Sequence, residues 1–168
     1  MERARSAADE PGYIYAFEIL PPAKHIHLKV GRATNPVKRL DQWSKQCGSR
    51  EQVLRGYWPW GDGAMRGRLQ VGPPGPWCHR VERLVHLELG DLAAGMVYLD
   101  PGWPGVGAVK GVQRARGRVF KVCPDCGKQH KEIFSFARVE NGRYKGREWE
   151  AIVKPVIEKW GAFVEAYV

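Results

Sequence analysis

A pair of apolar runs near the start of the chain constrains the fold more than any other feature. Residues 13–20 read YIYAFEIL and residues 26–32 read IHLKVGR, with only the five residues PPAKH between them. β-Branched and aromatic runs that are separated by so short a turn predict a β-hairpin. We therefore expect the first two elements to be paired strands.

A helix and a third strand are predicted next. Asn35 suits the N-cap of a helix and Pro36 suits its first turn, so residues 37–46 (VKRLDQWSKQ) should form a helix that ends at about residues 47–48. Residues 52–59 (QVLRGYWP) then have the composition of a strand.

An amphipathic helix is predicted in the middle of the chain. The segment HRVERLVHLELGDLA, which should end near Gly95, carries an apolar stripe at helical spacing. The stripe consists of Val81, Leu84, Val85, Leu89 and Leu92.

The last third of the chain predicts two more strands and a helix. Residues 119–122 (VFKV) fit a short strand, and residues 132–139 (EIFSFARV) alternate as a strand does. From Arg147 onward, apolar residues recur at intervals of three and four, which indicates an amphipathic helix. Pro155 should kink or restart that helix.

A chain of 168 residues with 43% hydrophobic content can form one hydrophobic core. We expect a flexible N-terminus over residues 1–11, one domain over residues 12–140, and a C-terminal helix within residues 141–168 that packs on the same domain. Gly and Pro concentrate in residues 58–77 and 100–118, which predicts two long loops.

The charge balance indicates a polyanionic partner. Lys and Arg number 27 against 18 Asp and Glu, a net charge of +9, which favours nucleic acid, with simple solubility as the alternative. No stretch approaches the ~18 apolar residues of a membrane span, and the N-terminus is polar rather than signal-like. We expect an intracellular protein without a membrane partner, leaving nuclear residence and oligomeric state open.

A constellation of short motifs resembles the GIY-YIG nuclease superfamily. A Y-I-Y strand ends at Tyr15, a K-V-G turn ends at Gly31, Arg39 follows eight residues later, and Glu82 lies on a later helix. The resemblance covers roughly residues 12–136. It is closest to the variant branch of phage and fungal proteins in which lysine replaces the second tyrosine, and it includes a C-x-x-C-x-x-x-H-x-E-x-F segment similar to the fungal subset.

The resemblance implies a fold and an activity. The implied fold is α+β: a GIY-YIG-like domain with a three-stranded antiparallel sheet flanked by helices, to which this chain adds a zinc-stapled insertion and the C-terminal helix. The implied activity is metal-dependent endonucleolytic hydrolysis of duplex or branched DNA, with Mg²⁺ or Mn²⁺ as the catalytic ion.

The resemblance also implies four catalytic residues. Tyr15 would orient or deprotonate water, Arg39 would stabilise charge on the scissile phosphate, and Glu82 would hold the Mg²⁺ or Mn²⁺ ion. Lys29 replaces the tyrosine of the YIG motif, where it could contact phosphate or lower the pKa of Tyr15. Where the family often has a histidine, this chain has Trp43. The alternative is that Tyr15 is an ordinary strand tyrosine and that Arg39 and Glu82 are ordinary charged residues on their helices.

A zinc site is predicted independently from ligand spacing. Cys123, Cys126 and His130 supply three ligands within eight residues, which fits structural tetrahedral Zn²⁺ once a fourth ligand joins them. His86 is the first choice for that ligand, ahead of Cys78 and His79. A redox pair or two reduced cysteines are the alternatives.

Basic residues outside the catalytic set are candidates for phosphate contacts. In the loops they could instead be solvated charges. The candidates are Arg32, Lys38, Arg66, Arg68, Arg114 and Arg116. Two other functions stay open: a DNA-binding module of the same fold without cleavage, and a zinc-stabilised protein-interaction domain.

Overall fold

The computed structural model describes residues 9–20, 24–60, 72–100, 102–105 and 122–167. Much of the two predicted loops falls outside these ranges, as do most of the N-terminal segment that was predicted to be flexible and most of the predicted strand at 119–122. The loop arginines Arg66, Arg68, Arg114 and Arg116 also lie outside the described residues.

The described strands form one antiparallel sheet. They are β1 (Tyr13–Ile19), β2 (His25–Ala33), β3 (Gln52–Trp58) and β4 (Ile133–Ala137), and their order across the sheet is β3-β1-β2-β4. The hairpin of β1 and β2 forms as predicted. The sheet has four strands among the described residues rather than three, because β4 pairs with the free edge of β2.

Three α-helices flank the sheet within the described ranges, and the α+β class is confirmed. They are α1 (Pro36–Gln46), α2 (Cys78–Gly95) and α3 (Lys154–Tyr167). The Asn35 side chain caps α1 by accepting a hydrogen bond from the Lys38 backbone N–H at 2.9 Å. None of the helices in the described part is both long and apolar enough to cross a membrane.

The C-terminal helix accommodates its proline through a wider turn. A π-helical turn (Trp149–Val153) leads directly into α3, and the Lys154 N–H donates to the Trp149 carbonyl five residues earlier. Pro155 has no N–H and its ring crowds the carbonyl four residues before it, so a local widening lets the helix continue. Pro155 therefore modifies the helix without ending it.

The sheet separates two apolar clusters. Residues that alternate along β1 point to opposite sides: Ile14 and Ala16 pack in the larger cluster with α2 and α3, whereas Tyr15 and Phe17 pack in a smaller cluster with Trp43 of α1. The smaller cluster also contacts the C-x-x-C segment. The predicted catalytic tyrosine thus lies on the same side of the sheet as α1.

A buried ion network joins β1, β3 and the C-terminal segment. The Glu18 carboxylate, 1% exposed, accepts hydrogen bonds from Arg55 Nε at 2.8 Å and from Arg138 Nη2 at 3.0 Å. Arg138 also donates to Glu148, whose other oxygen accepts from the Val139 N–H. Each buried carboxylate here has a partner, as burial of a charge requires, so this network is structural.

Candidate functional site

Tyr15 packs directly over a glycine. It lies opposite Gly31 in the register of β1 and β2. A Cβ atom added to Gly31 would lie 2.7 Å from the Tyr15 hydroxyl oxygen, so the absence of a side chain at this position of β2 makes room for the phenol. The Tyr15 ring also stacks on Phe17, with centroids 5.6 Å apart. The hydroxyl therefore has a fixed position.

Arg39 brings a positive charge to that hydroxyl. Its Nε lies 3.4 Å from Tyr15 Oη, and its Nη1 donates to Gln42 at 3.3 Å. Burial raises the pKa of Tyr15 above its usual value, and Arg39 opposes that rise only in part. Tyr15 is therefore a neutral phenol at neutral pH, suited to orienting water or contacting a phosphate oxygen rather than to removing a proton.

Lys29 is a buried cation with an acidic partner. Its side chain is 1% exposed and forms an ion pair with Glu132, and its Nζ lies 4.4 Å from the centre of the Trp43 ring. Burial lowers the pKa of Lys29, while Glu132 opposes that change. For Glu132, burial favours the neutral acid, but the hydrogen bond and charge of Lys29 outweigh it and lower the pKa.

Glu82 lies in the second turn of α2 and is paired with Arg32. One carboxylate oxygen accepts from the Arg32 backbone N–H and the other from Arg32 Nε, both at 3.0 Å. The charge of Glu82 acts on both Tyr15 and Lys29, since it raises the pKa of each. The predicted catalytic residues therefore share one electrostatic environment.

Three cysteines and one histidine meet on the α1 side of the sheet. One ligand atom from each residue lies within 4.8 Å of the other three. Sγ of Cys47 is 3.6 Å from Sγ of Cys126 and 3.7 Å from Sγ of Cys123, while His130 Nε2 is 3.2 Å from Cys126 and 3.6 Å from Cys47. The three thiols and one imidazole thus form a compact cluster without a disulfide.

The cluster has the dimensions of a tetrahedral metal site. Zn–S bonds of ~2.3 Å and Zn–N bonds of ~2.0 Å at tetrahedral angles place sulfurs ~3.8 Å apart and sulfur and nitrogen ~3.5 Å apart. Without a cation, burial and the neighbouring Cys126 and Cys123 groups raise the pKa of Cys47 to about 12, and burial lowers the pKa of His130. These residues could hold a metal ion such as zinc.

Cys47 is the fourth member of the cluster. The prediction that His86 would be the fourth ligand is therefore wrong. His86 lies on α2, on the opposite side of the sheet from the cluster, where its Nε2 donates to the Val30 carbonyl at 2.9 Å and its ring contacts Phe134. The two other candidates, Cys78 and His79, lie at the start of α2, and Cys78 donates to the Glu10 carbonyl. Packing of α2 on the far face therefore excludes all three from the cluster.

One family model matches part of the chain. Residues 25–98 match the family described as Meiotically up-regulated gene 113. The matched segment contains Lys29, Arg39 and Glu82, and it also contains Cys47. A search of curated proteins and a search of solved structures found no match to this chain.

The sequence did not identify Cys47 as a ligand or Glu132 as the partner of Lys29, because the contacts of both residues are with distant parts of the chain. Cys47 directly follows α1 and lies 76 residues before Cys123, outside any recognisable ligand spacing. Glu132 stands two residues after His130, but only the pairing of β2 with β4 brings it to Lys29. Of the described phosphate candidates, Lys38 is exposed in the first turn of α1, whereas Arg32 pairs with Glu82.

Proposed function

We propose that this chain is a metal-dependent DNA endonuclease domain of the GIY-YIG type. The contact of Arg39 with Tyr15 is the observation that carries the proposal, because it sets a planar cationic donor beside a fixed hydroxyl. This pair is suited to hold one phosphate oxygen and the attacking water together. The charge of Glu82 also acts on that hydroxyl.

Each side chain has a distinct task in hydrolysis. Arg39 stabilises negative charge on the phosphate in the transition state. Tyr15, as a neutral phenol, accepts a hydrogen bond from water and aligns it with phosphorus. Lys29 supplies a second positive charge in place of the phenol found in most relatives of this type, and a solvent molecule rather than Tyr15 takes the proton of the attacking water.

Glu82 offers the hard oxygen that Mg²⁺ or Mn²⁺ prefers. A single carboxylate is enough, because Mg²⁺ commonly binds through one or two carboxylates plus phosphate and water. When bound, the ion supplies positive charge at the phosphate and acidifies water. Glu82 would hold the ion in place of the Arg32 guanidinium, with which it now pairs, and the guanidinium would then be available to contact phosphate.

We assign zinc to the Cys47, Cys123, Cys126 and His130 cluster, in a structural role. Three thiolates and one imidazole suit zinc in donor type and number, and four protein ligands leave no open position for a substrate. The cluster joins the end of α1 to the segment before β4.

Nicking assays with matched variants test the endonuclease proposal. Purified protein is incubated with duplex, branched and single-stranded DNA in Mg²⁺, Mn²⁺ or EDTA. We expect metal-dependent nicking that Arg39→Ala and Glu82→Gln each reduce by about 10²-fold or more. Lys45→Ala on α1 and Asp91→Asn on α2 remove the same charges from exposed positions and should leave nicking unchanged. If the two control variants reduce nicking as much as the two site variants do, the proposal is wrong.

A DNA-binding module without cleavage is the second candidate. The observation that favours it is the pairing of both Glu82 oxygens with Arg32, which neutralises the carboxylate in a partly exposed ion pair. Salt-sensitive binding to DNA, with no nicking at any metal concentration, would support this candidate over the enzyme.

A further inference from the structure

A continuous row of side chains leads from the metal cluster to the Tyr15 site. His130 faces the cluster sulfurs through Nε2, and its other ring nitrogen, Nδ1, lies 3.9 Å from Glu132 Oε1. The same Glu132 oxygen forms the ion pair with Lys29. Lys29 lies beside Tyr15 on the same face of the sheet.

A metal ion fixes the first member of the row. A neutral imidazole that binds a metal through Nε2 carries its hydrogen on Nδ1, and such ligands commonly orient that N–H toward a carboxylate. Glu132 is the carboxylate that His130 faces. Metal binding would therefore fix the ring of His130 with its Nδ1–H directed at Glu132, which it reaches through charge at 3.9 Å rather than through a hydrogen bond.

The helix α1 forms a second connection between the same two sites. Arg39 lies in its first half, and Cys47 directly follows its last residue, ~12 Å farther along the axis at 1.5 Å per residue. Trp43, between them, contacts both the His130 ring, with centroids 4.6 Å apart, and the Lys29 ammonium. A metal bound by Cys47 thus holds the helix that carries Arg39.

We propose that metal binding in the Cys47, Cys123, Cys126 and His130 cluster positions Lys29 for phosphate through His130 and Glu132. Glu132 is the positioning residue: it contacts the ligand histidine on one side and the site cation on the other. The functional consequence rests on the endonuclease proposal, but the mechanical connection does not. Binding at the two sites is then coupled, and the coupling is reciprocal.

The first measurement follows Lys29 directly and needs no DNA. Protein with ¹³C-labelled lysine side chains is titrated with Zn²⁺, and the ε-methylene signal of Lys29 is assigned from its loss in Lys29→Met. We expect the Lys29 signal to move in step with zinc binding. Lys154, 5.0 Å from the Trp60 ring centre on a different element, is the internal control and should not move. An unchanged Lys29 signal overturns the proposal.

The second measurement separates positioning from simple structural support. DNA affinity is measured with zinc bound and after chelation, in wild type, Glu132→Gln and the exposed control Glu140→Gln. We expect zinc to tighten binding about tenfold in wild type and Glu140→Gln, and to have little effect in Glu132→Gln, which should keep one zinc ion. If zinc tightens DNA binding by Glu132→Gln as much as it does for wild type, zinc acts only as structural support, and the proposed role of Glu132 is wrong.

The two proposals fail in different ways. A zinc-dependent Lys29 signal in a protein that neither binds nor cuts DNA contradicts the endonuclease proposal and leaves the connection intact. Nicking by a protein whose Lys29 signal does not change with zinc would contradict the connection and leave the endonuclease proposal intact.

Discussion

Gly31 and Tyr15 show how one missing side chain sets the position of a functional group. The phenol of Tyr15 occupies the space that a Cβ at Gly31 would need, and Phe17 stacks on its other side. A methyl group at position 31 must therefore displace the hydroxyl from its contact with Arg39.

Gly31→Ala should reduce nicking by about 10²-fold while the protein stays folded, because a displacement of ~1 Å at a reacting group has an effect of that size. Single-turnover nicking measures the loss, and circular dichroism checks the fold. Gly105→Ala is the control, since its new Cβ would make only an ordinary contact at 3.5 Å. Retention of full activity in Gly31→Ala contradicts the assigned position of Tyr15.

Tyr98 carries a pH-dependent share of the stability. It lies in a short 3-10 turn (Val97–Leu99) after α2, accepts a hydrogen bond from the Ala137 N–H at 2.8 Å, and is 1% exposed. Burial raises the pKa of Tyr98 to about 12 from 10.0. Because the folded state holds the proton more tightly, this stability is present below pH 10 and is lost as the pH rises towards 12.

Tyr98→Phe should lower the free energy of unfolding by about 1 kcal/mol at pH 8, the usual value of one buried hydrogen bond. The difference between wild type and variant should shrink between pH 10 and 12, because there the unfolded wild-type chain loses the Tyr98 proton that the folded state keeps. Urea unfolding at several pH values measures both. Tyr167→Phe, at a position 76% exposed, should show no such trend. A difference that is constant with pH would argue against the burial effect.

At the scale of elements, local patterns predicted most helices and strands. The cap at Asn35, the apolar stripe of α2 and the alternation in β4 are short-range signals, and each is present in the structure. The local patterns did not predict which sheet edge β4 joins, because strand order depends on pairing between segments about a hundred residues apart. The same distance hid Cys47 and Glu132, whose roles arise only from the folded sheet.

The contact between α3 and β3 explains a glycine in a helix. Gly161 lies in the interior of α3, where alanine is normally the better residue by about 0.5–1 kcal/mol. Here an added Cβ would lie 2.3 Å from Cε2 of Trp58. The Trp58 ring is 6% exposed and packed in the larger cluster, so it has no free space into which to move.

Gly161→Ala should therefore destabilise the protein by about 1–3 kcal/mol, the usual cost of overpacking a core, despite the gain in helix propensity. Gly95→Ala at the end of α2 is the control, because its nearest contact would be an ordinary 3.7 Å. Thermal or urea unfolding compares the two. Stabilisation by Gly161→Ala would contradict the close packing of Trp58 against α3.

At the scale of the whole molecule, the metal cluster joins parts of the chain that local structure leaves separate. Cys47 follows α1, whereas the other ligands precede β4, and the latter segment has only an isolated bridge between Val122 and Gln129 as regular pairing. Asp125 of this segment accepts two hydrogen bonds from Ser49, at 2.8 and 3.1 Å, and the four ligands add a second connection between the same parts of the chain. A bound metal therefore contributes directly to folding stability.

That contribution predicts how stability varies with free zinc. A ligand that binds only the folded state adds about 1.4 kcal/mol to the free energy of unfolding for each tenfold rise in free zinc above its dissociation constant. Buffered zinc solutions combined with urea unfolding measure this slope.

Wild type and Cys78→Ser should both show the slope, because Cys78 lies outside the cluster and donates to a backbone carbonyl. Cys47→Ser, with one thiolate removed from the first coordination sphere, should show a flat response and bind less than one zinc ion per chain at low micromolar zinc. An equal slope in Cys47→Ser and Cys78→Ser would remove Cys47 from the site and reopen the choice of fourth ligand.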